Sequence, residues 1–322
     1  EREVGRVTLN VLFALFSALL GAALGSFFDA VAERSAQDRS WWGRERSRCP
    51  SCGKVLGPGE LVPIVSFLAQ KGRCRRCEAP IPKRSLAVEI VCAVGAGLLA
   101  WRWGPGWAGL LALAVFFSLA FNALTDIHSG YIYDVTALLP ILPFALLRSA
   151  GGLPALFDGA VGALLGFAVV AVIIIASRGG MGWGDAMLMA GCGAGLGWRL
   201  TGLGLYLGFM VGGTVALGLL VLKKVERKTA LPLAPFLAVG AFLALLLGPD
   251  GELDRLVHGF DQATELAHIG IDPAFDGGTR LARNQHDFRD QHTSVGDQRT
   301  ARFEDDFRQI IKLPLDQPKP FP

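Results

Sequence analysis

The stretch LPALFDGAVGALLGFAVVAVIIIA, residues 153–176, holds a single charge, Asp158, in twenty-four positions. A helix needs roughly 20 apolar residues to cross the hydrocarbon core of a bilayer, so this run reads as a membrane span. Seven other runs, bounded by Gly, Pro or charged residues, read the same way: 8–33, 85–102, 106–125, 134–149, 185–199, 200–222 and 230–248. The fourth and sixth in chain order are short, and the sixth is rich in glycine. Helices suit the bilayer because they satisfy their own backbone polar groups. The expected fold is an all-α polytopic membrane protein with about eight transmembrane helices.

Composition supports this reading. Of 322 residues, 52% are hydrophobic and only 18% charged, which is too apolar for an ordinary soluble domain. Six cysteines are too few for a disulfide framework. A net charge of +3 implies no nucleic-acid surface. The first run lacks an A-x-A-like cleavage site and reads as a retained helix, residues 1–33. The chain opens at Glu1 without a Met, which leaves room for a missing start.

Basic residues set the orientation. Twelve Lys and Arg fall in the 34–84 loop. Arg178 and the cluster Lys223, Lys224, Arg227 and Lys228 fall on the same side of an eight-span chain. The opposite loops hold only Arg102, Arg148 and Arg199, with Arg2 and Arg6 before the first span. The positive-inside rule puts the 34–84 loop in the cytoplasm, and most of these charges read as topology signals. Gly104-Pro105-Gly106 and Gly151-Gly152 read as tight turns on the far side. The region 85–248 forms the remaining membrane body. The polar segment 249–322 reads as a poorly ordered tail.

The cytoplasmic loop carries Cys49-Pro-Ser-Cys52 and Cys74-Arg-Arg-Cys77. Two C-x-x-C knuckles at this spacing can close a tetrahedral thiolate site around zinc. Four thiolates leave no open position, so the metal's role would be structural. A reducing cytoplasm argues against two disulfides. Gly53 and Glu78 follow the knuckles where such a site turns sharply. Four unrelated thiols, or a redox pair, is the rival reading. Cys92 and Cys192 lie inside apolar runs and read as packing residues.

Two carboxylates fall at the cytoplasmic ends of spans. Asp126 ends the third, in Ala123-Leu-Thr-Asp126-Ile-His-Ser-Gly-Tyr-Ile-Tyr-Asp134, and Asp185 opens the sixth, in Gly182-Trp-Gly-Asp185. Ionisable groups at a membrane boundary are functional suspects. Two that converge share a proton, which leaves one as acid and the other as base for activating water. The preceding glycines would let backbone approach the reacting centre. An interfacial Asp also caps helices, so G-x-G-D alone leaves both roles open. Asp29 shares that ambiguity; Asp134 reads as the cap of the fourth span, and His128 as a solvated loop histidine.

In combination these pieces resemble the type IV prepilin peptidase family, the prepilin leader peptidase/N-methyltransferases, a G-x-G-D class of membrane aspartic protease. The likeness covers most of 11–248. It begins with Gly25-Ser26-Phe27-Phe28-Asp29 and Arg34, and runs through both knuckles with Val62-Pro63-Ile64-Val65-Ser66-Phe67 between them. It continues through Gly72-Arg73-Cys74, Arg84, Val88-Glu89, Asp126 with Asp134, and Gly182-Trp183-Gly184-Asp185. The resemblance implies that Asp126 and Asp185 are the catalytic pair. It implies an inner-membrane enzyme that cuts short basic leaders from type IV prepilins, or from type II secretion pseudopilins, at the cytoplasmic face. It also implies methylation of the new N-terminus with S-adenosylmethionine, and work alongside the pilus or secretion machinery in contact with membrane lipid. Asp29 stands where the family has Asn, Leu61 where it often has Asn, and Ile132-Tyr133 where it has Leu-Pro. The first two fall in the half associated with methylation. A peptidase without methyltransferase activity and a non-enzymatic assembly scaffold are therefore the alternatives. A transporter ranks last, since no paired broken spans flank a midplane charge. Nothing in the sequence sets an oligomeric state.

Overall fold

The computed structural model describes residues 2–37, 47–149, 151–177, 182–223 and 232–249. The expected tail, Arg178 and the 224–228 part of the basic cluster lie outside the described residues. Those described form α1 (Arg2–Ala36), α2 (Val65–Ala69), α3 (Lys83–Trp103), α4 (Trp107–Ser129), α5 (Asp134–Leu138), α6 (Ile141–Ser149), α7 (Gly152–Ala176), α8 (Trp183–Val221) and α9 (Ala234–Leu247), with a 3₁₀ turn at Pro58–Glu60. Five of these, α1, α3, α4, α7 and α8, are long and apolar enough to cross a membrane by length and composition. The chain is a multi-pass helical membrane protein.

Small residues decide which helices meet. Bilayer helices gain little from apolar burial against one another, so backbone proximity governs their packing. Gly21 and Gly25 bring α1 against Cys92 of α3, and Gly95 makes room for the Phe116 ring of α4. Gly159 lies where a Cβ would come within 2.8 Å of the Ala194 carbonyl of α8, while Gly166 faces Met189. That pairing makes α7 antiparallel to the start of α8. Phe28 of α1 adds edge-on contacts with Phe117 and Phe121 of α4 at 6.4 and 5.3 Å.

Two expected span boundaries shift. The run 134–149 is two short helices rather than one, because Pro140 cannot supply the N–H that would continue α5 into α6. The runs 185–199 and 200–222 meet at Gly197, two residues earlier than the expected boundary, where φ 76° and ψ 170° break α8. Residues on both sides of that break return to one place: Asp185, twelve positions before it, and Phe209, twelve after it, line the same cavity. The chain therefore reverses at Gly197. The second leg packs antiparallel on α9, with Gly204 against Ala241 and Gly208 against Leu237. The other turns form where glycine predicts them. Gly104 (φ 70°) and Gly106 join α3 to α4, and Gly152 (φ 75°) opens α7.

Arg148 is more than a topology signal. Its side chain is 1% exposed, at the end of α6. The guanidinium donates to the Ala155 carbonyl at 2.9 Å, to the Gly195 carbonyl at 2.7 Å, and to Asp158. It thus ties α6, α7 and the reversal of α8 together. Asp158 is half-buried, so the main loss on removing the guanidinium falls on the Ala155 and Gly195 carbonyls, and a buried acceptor left without its donor costs about 1–3 kcal/mol. Arg148→Ala should lower the thermal midpoint of the detergent-purified protein markedly, whereas Arg199→Ala, a more exposed position, should change it little.

Candidate functional site

The loop between α1 and α3 is built from two knuckles with matching hydrogen bonds, twenty-five positions apart. Cys49 N–H donates to the Lys54 carbonyl, as Cys74 N–H does to Ala79, both at 2.9 Å. Gly53 N–H returns to the Cys49 carbonyl, and Glu78 N–H to Cys74, again at 2.9 Å. Leu56 N–H reaches Ser47, and Ile81 N–H reaches Gly72, both at 2.8 Å. Each knuckle turns through the left-handed region, at φ 68° for Gly53 and φ 56° for Glu78. Only glycine enters that region without steric cost. Gly53→Val should destabilise the loop by about 1–2 kcal/mol, read as faster loss of bound metal to a chelator, while Glu78→Gly should not.

The four sulfurs of Cys49, Cys52, Cys74 and Cys77 lie within 4.8 Å of one another. Cys49 Sγ and Cys77 Sγ are 3.8 Å apart. Metal–sulfur bonds of about 2.3 Å in a tetrahedron place sulfurs about 3.8 Å apart, so the set fits a tetrahedral ion. The N–H groups of Cys77 and Arg76 bring the Cys74 thiol down to about 6. Those of Cys52 and Ser51 likewise lower Cys49. Cys77, although the Ala79 N–H donates to it, is pushed up to about 12 by desolvation and its neighbouring thiols. Four thiolates need a cation among them, and these residues could hold a metal ion.

At the same end of the membrane body, Asp126 and Asp185 line one cavity of about 810 Å³. Asp126 sits in the last turn of α4, and Asp185 is the third residue of α8. Both are buried. Asp126 Oδ2 accepts the N–H of Ala234, the first residue of α9, at 3.1 Å. Among the described residues, no donor reaches Asp185 Oδ1. Gly184 instead packs on the α4–α5 connection, where a Cβ would come within 2.9 Å of Ile132. The second leg of α8 supplies Gly212, Gly213 and Ala216 as a wall of small residues.

Two expectations at this site are overturned. Tyr133, not Asp134, occupies the cap of α5, and no side chain caps that helix. Asp134 instead is exposed and lines the cavity. His128 belongs to the last turn of α4 rather than a loop, and its side chain is only 5% exposed. Its Nε2 pairs with Asp29 Oδ1 of α1 at 2.9 Å. Ser85 of α3 donates to Asp29 Oδ2 at 2.8 Å, and Arg84 Nε lies 3.7 Å from Oδ1. This polar knot joins three helices two positions from Asp126. The i+2 spacing of His128 from Asp126 was its only trace in the sequence. Cys92 and Cys192 are buried, in keeping with packing roles.

Fold and site together define a polytopic helical membrane protein with a carboxylate pair in one cavity and a four-cysteine centre in a hydrophilic loop. Residues 19–103 match the bacterial peptidase A24 N-terminal domain, and residues 111–222 match the type IV leader peptidase family. A prepilin leader peptidase/N-methyltransferase of Pseudomonas aeruginosa is 32% identical over 264 residues, covering 73% of this chain and 91% of the relative. The protein of that name from Bacillus subtilis is 34% identical over 242 residues, 74% of this chain and 94% of its own. That of Aeromonas hydrophila is 33% identical over 208 residues, 63% and 72%. No solved structure matches the chain. The chain belongs to the type IV leader peptidase family.

Proposed function

We propose that this protein is an inner-membrane aspartic endopeptidase that removes the leader from type IV prepilins or type II secretion pseudopilins, with Asp126 and Asp185 as its catalytic pair facing the cytoplasm. One observation carries the reading: two buried carboxylates, fifty-nine positions apart, line one cavity, and one oxygen of Asp185 lacks a donor among the described residues. In the reaction, one carboxylate takes a proton from water as the water oxygen bonds to the scissile carbonyl carbon. The other carboxyl gives its proton to the carbonyl oxygen. The first carboxyl then passes its proton to the amide nitrogen and the C–N bond breaks, while the gem-diol hydroxyl returns its proton to the second carboxylate as it collapses to the product acid, which resets the pair. Neither residue is fixed as acid or base, because such a pair titrates as a unit. The small wall of Gly212, Gly213 and Ala216 leaves room for the apolar segment of a substrate beside the carboxylates, so positioning contributes to the rate.

Zinc is the ion proposed for the cysteine site, where it would fix the loop between α1 and α3. S-adenosylmethionine would supply the methyl group for a second step on the freed N-terminus. A peptidase without that second step is the nearest rival, since Asp29 and Leu61 depart from the family pattern. Asp29 is nonetheless fully engaged, by Ser85 and His128. The test is cleavage of a model prepilin by the purified protein, followed by mass spectrometry of the product. Cleavage establishes the peptidase, and a gain of about fourteen mass units on the new N-terminus separates the two readings. Intact substrate would reject the function, leaving a scaffold for pilus or secretion assembly.

A further inference from the structure

The cysteine loop exposes an apolar patch that neither the metal centre nor the cavity uses. Leu61, Val62, Val65 and Leu68 are 47, 45, 61 and 64% exposed, all on or beside α2. In a hydrophilic loop, a contiguous group of large apolar side chains marks an interaction surface.

Its depth is fixed by one hydrogen bond. The Ile64 N–H donates to Glu89 Oε2 at 2.7 Å. Glu89 lies six residues inside α3, about 9 Å along the axis from Lys83 at 1.5 Å per residue. The start of α2 is therefore held beside the second turn of a membrane-spanning helix, level with or below the basic pair Lys83 and Arg84. Ile64 adopts φ 62°, an unusual conformation for a β-branched residue, to make that bond. The buried Glu89 carboxylate holds the strained backbone at that level.

Charge selects the occupant. Lys71, Arg73, Arg75 and Arg76 are exposed on the segment that follows the patch. Residues 47–82 hold six basic side chains against Glu60 and Glu78, and Glu60 is already engaged by Lys54 at 2.8 Å. Apolar side chains at the depth of a headgroup layer, with cations beside them, match an interfacial element on an anionic bilayer. A basic leader peptide would be repelled by the same side chains.

We propose that residues 61–68 dock into the headgroup region of the leaflet from which the loop emerges, with Lys71, Arg73, Arg75 and Arg76 engaging anionic lipid. The cysteine centre is then a brace that holds a monotopic foot against the membrane. This inference stands apart from the peptidase reading and can fail or succeed without it.

The test uses the full chain, metal-loaded, in nanodiscs of phosphatidylglycerol and phosphatidylethanolamine. A spin label is introduced at Val65 or Leu68 through an unnatural amino acid, which leaves the native cysteines alone. Docking predicts high contact with molecular oxygen and protection from a water-soluble nickel chelate, as for a label at Val94 on an exposed face of α3. Each basic side chain near an anionic surface favours docking about fivefold, so Arg75→Ala with Arg76→Ala should lower the docked-to-undocked ratio about 25-fold without changing metal content. Free access of nickel to the label in anionic discs would overturn the proposal. So would equal protection in phosphatidylcholine discs, or protection that arises only when prepilin is added.

Discussion

Asp185→Asn should insert and fold as the wild type does yet cut prepilin about 10²–10⁴ times more slowly, the range that loss of an acid–base group produces. Asp126→Asn should do the same. Structure explains why stability is spared. Asp185 Oδ1 has no donor to lose among the described residues. Among the described residues, Asp126 accepts one backbone N–H, from Ala234, which an amide oxygen accepts equally well. Each substitution therefore removes an exchangeable proton from the cavity and little else. The measurement is a pair: the cleavage rate on a model prepilin, and thermal unfolding in detergent. A slow variant with a wild-type midpoint supports the carboxylate mechanism. A variant that cuts at the normal rate ends it, whatever the family resemblance.

Metal removal should have the second large effect. Binding of structural zinc by zinc-finger peptides is worth about 10–16 kcal/mol at neutral pH, more than a small loop can replace by packing. Cys52→Ser, or a strong chelator, should expose 47–82 to proteolysis while α4, α7 and α8 stay protected. The sign of the pH dependence follows from proton release. Metal binding displaces thiol protons, so affinity rises with pH. It falls most steeply with acid below about 6, where even Cys74, the thiol brought lowest by its backbone donors, holds a proton in the metal-free loop. Metal analysis across a pH series checks this. Purified protein that carries no zinc, with an intact loop, would reject the assignment.

Much of this was legible in the chain because membrane helices and metal knuckles are local patterns. The apolar runs located the long helices, and the C-x-x-C pairs located four sulfurs that the fold brings within 4.8 Å. Asp126 and Asp185 were found by their place at span ends, and the structure puts them on one cavity. What escaped depends on contacts far apart in sequence. His128 looked like a loop residue because its pairing with Asp29 spans ninety-nine positions. Arg148 passed for a topology charge because its acceptors, Ala155 and Gly195, lie on other helices. The tether from Ile64 to Glu89 links a loop to a span with no periodic signal at all. Apolar patterning located the two legs of α8 but could not fix the turn at Gly197, since the run around it is uniformly apolar and glycine-rich.

The turn at Gly197 makes the first leg of α8 a lever. Its fulcrum is pinned by Arg148 on the far side of the bundle, and its tip carries Asp185. Twelve residues give an arm of about 18 Å. A rotation of about 5° at the fulcrum swings the tip about 1.6 Å, and misplacing a reacting group by about 1 Å can slow a reaction about a hundredfold. Conservative changes around Arg148, remote from any substrate, should therefore appear first as a fall in turnover, before the fold itself gives way.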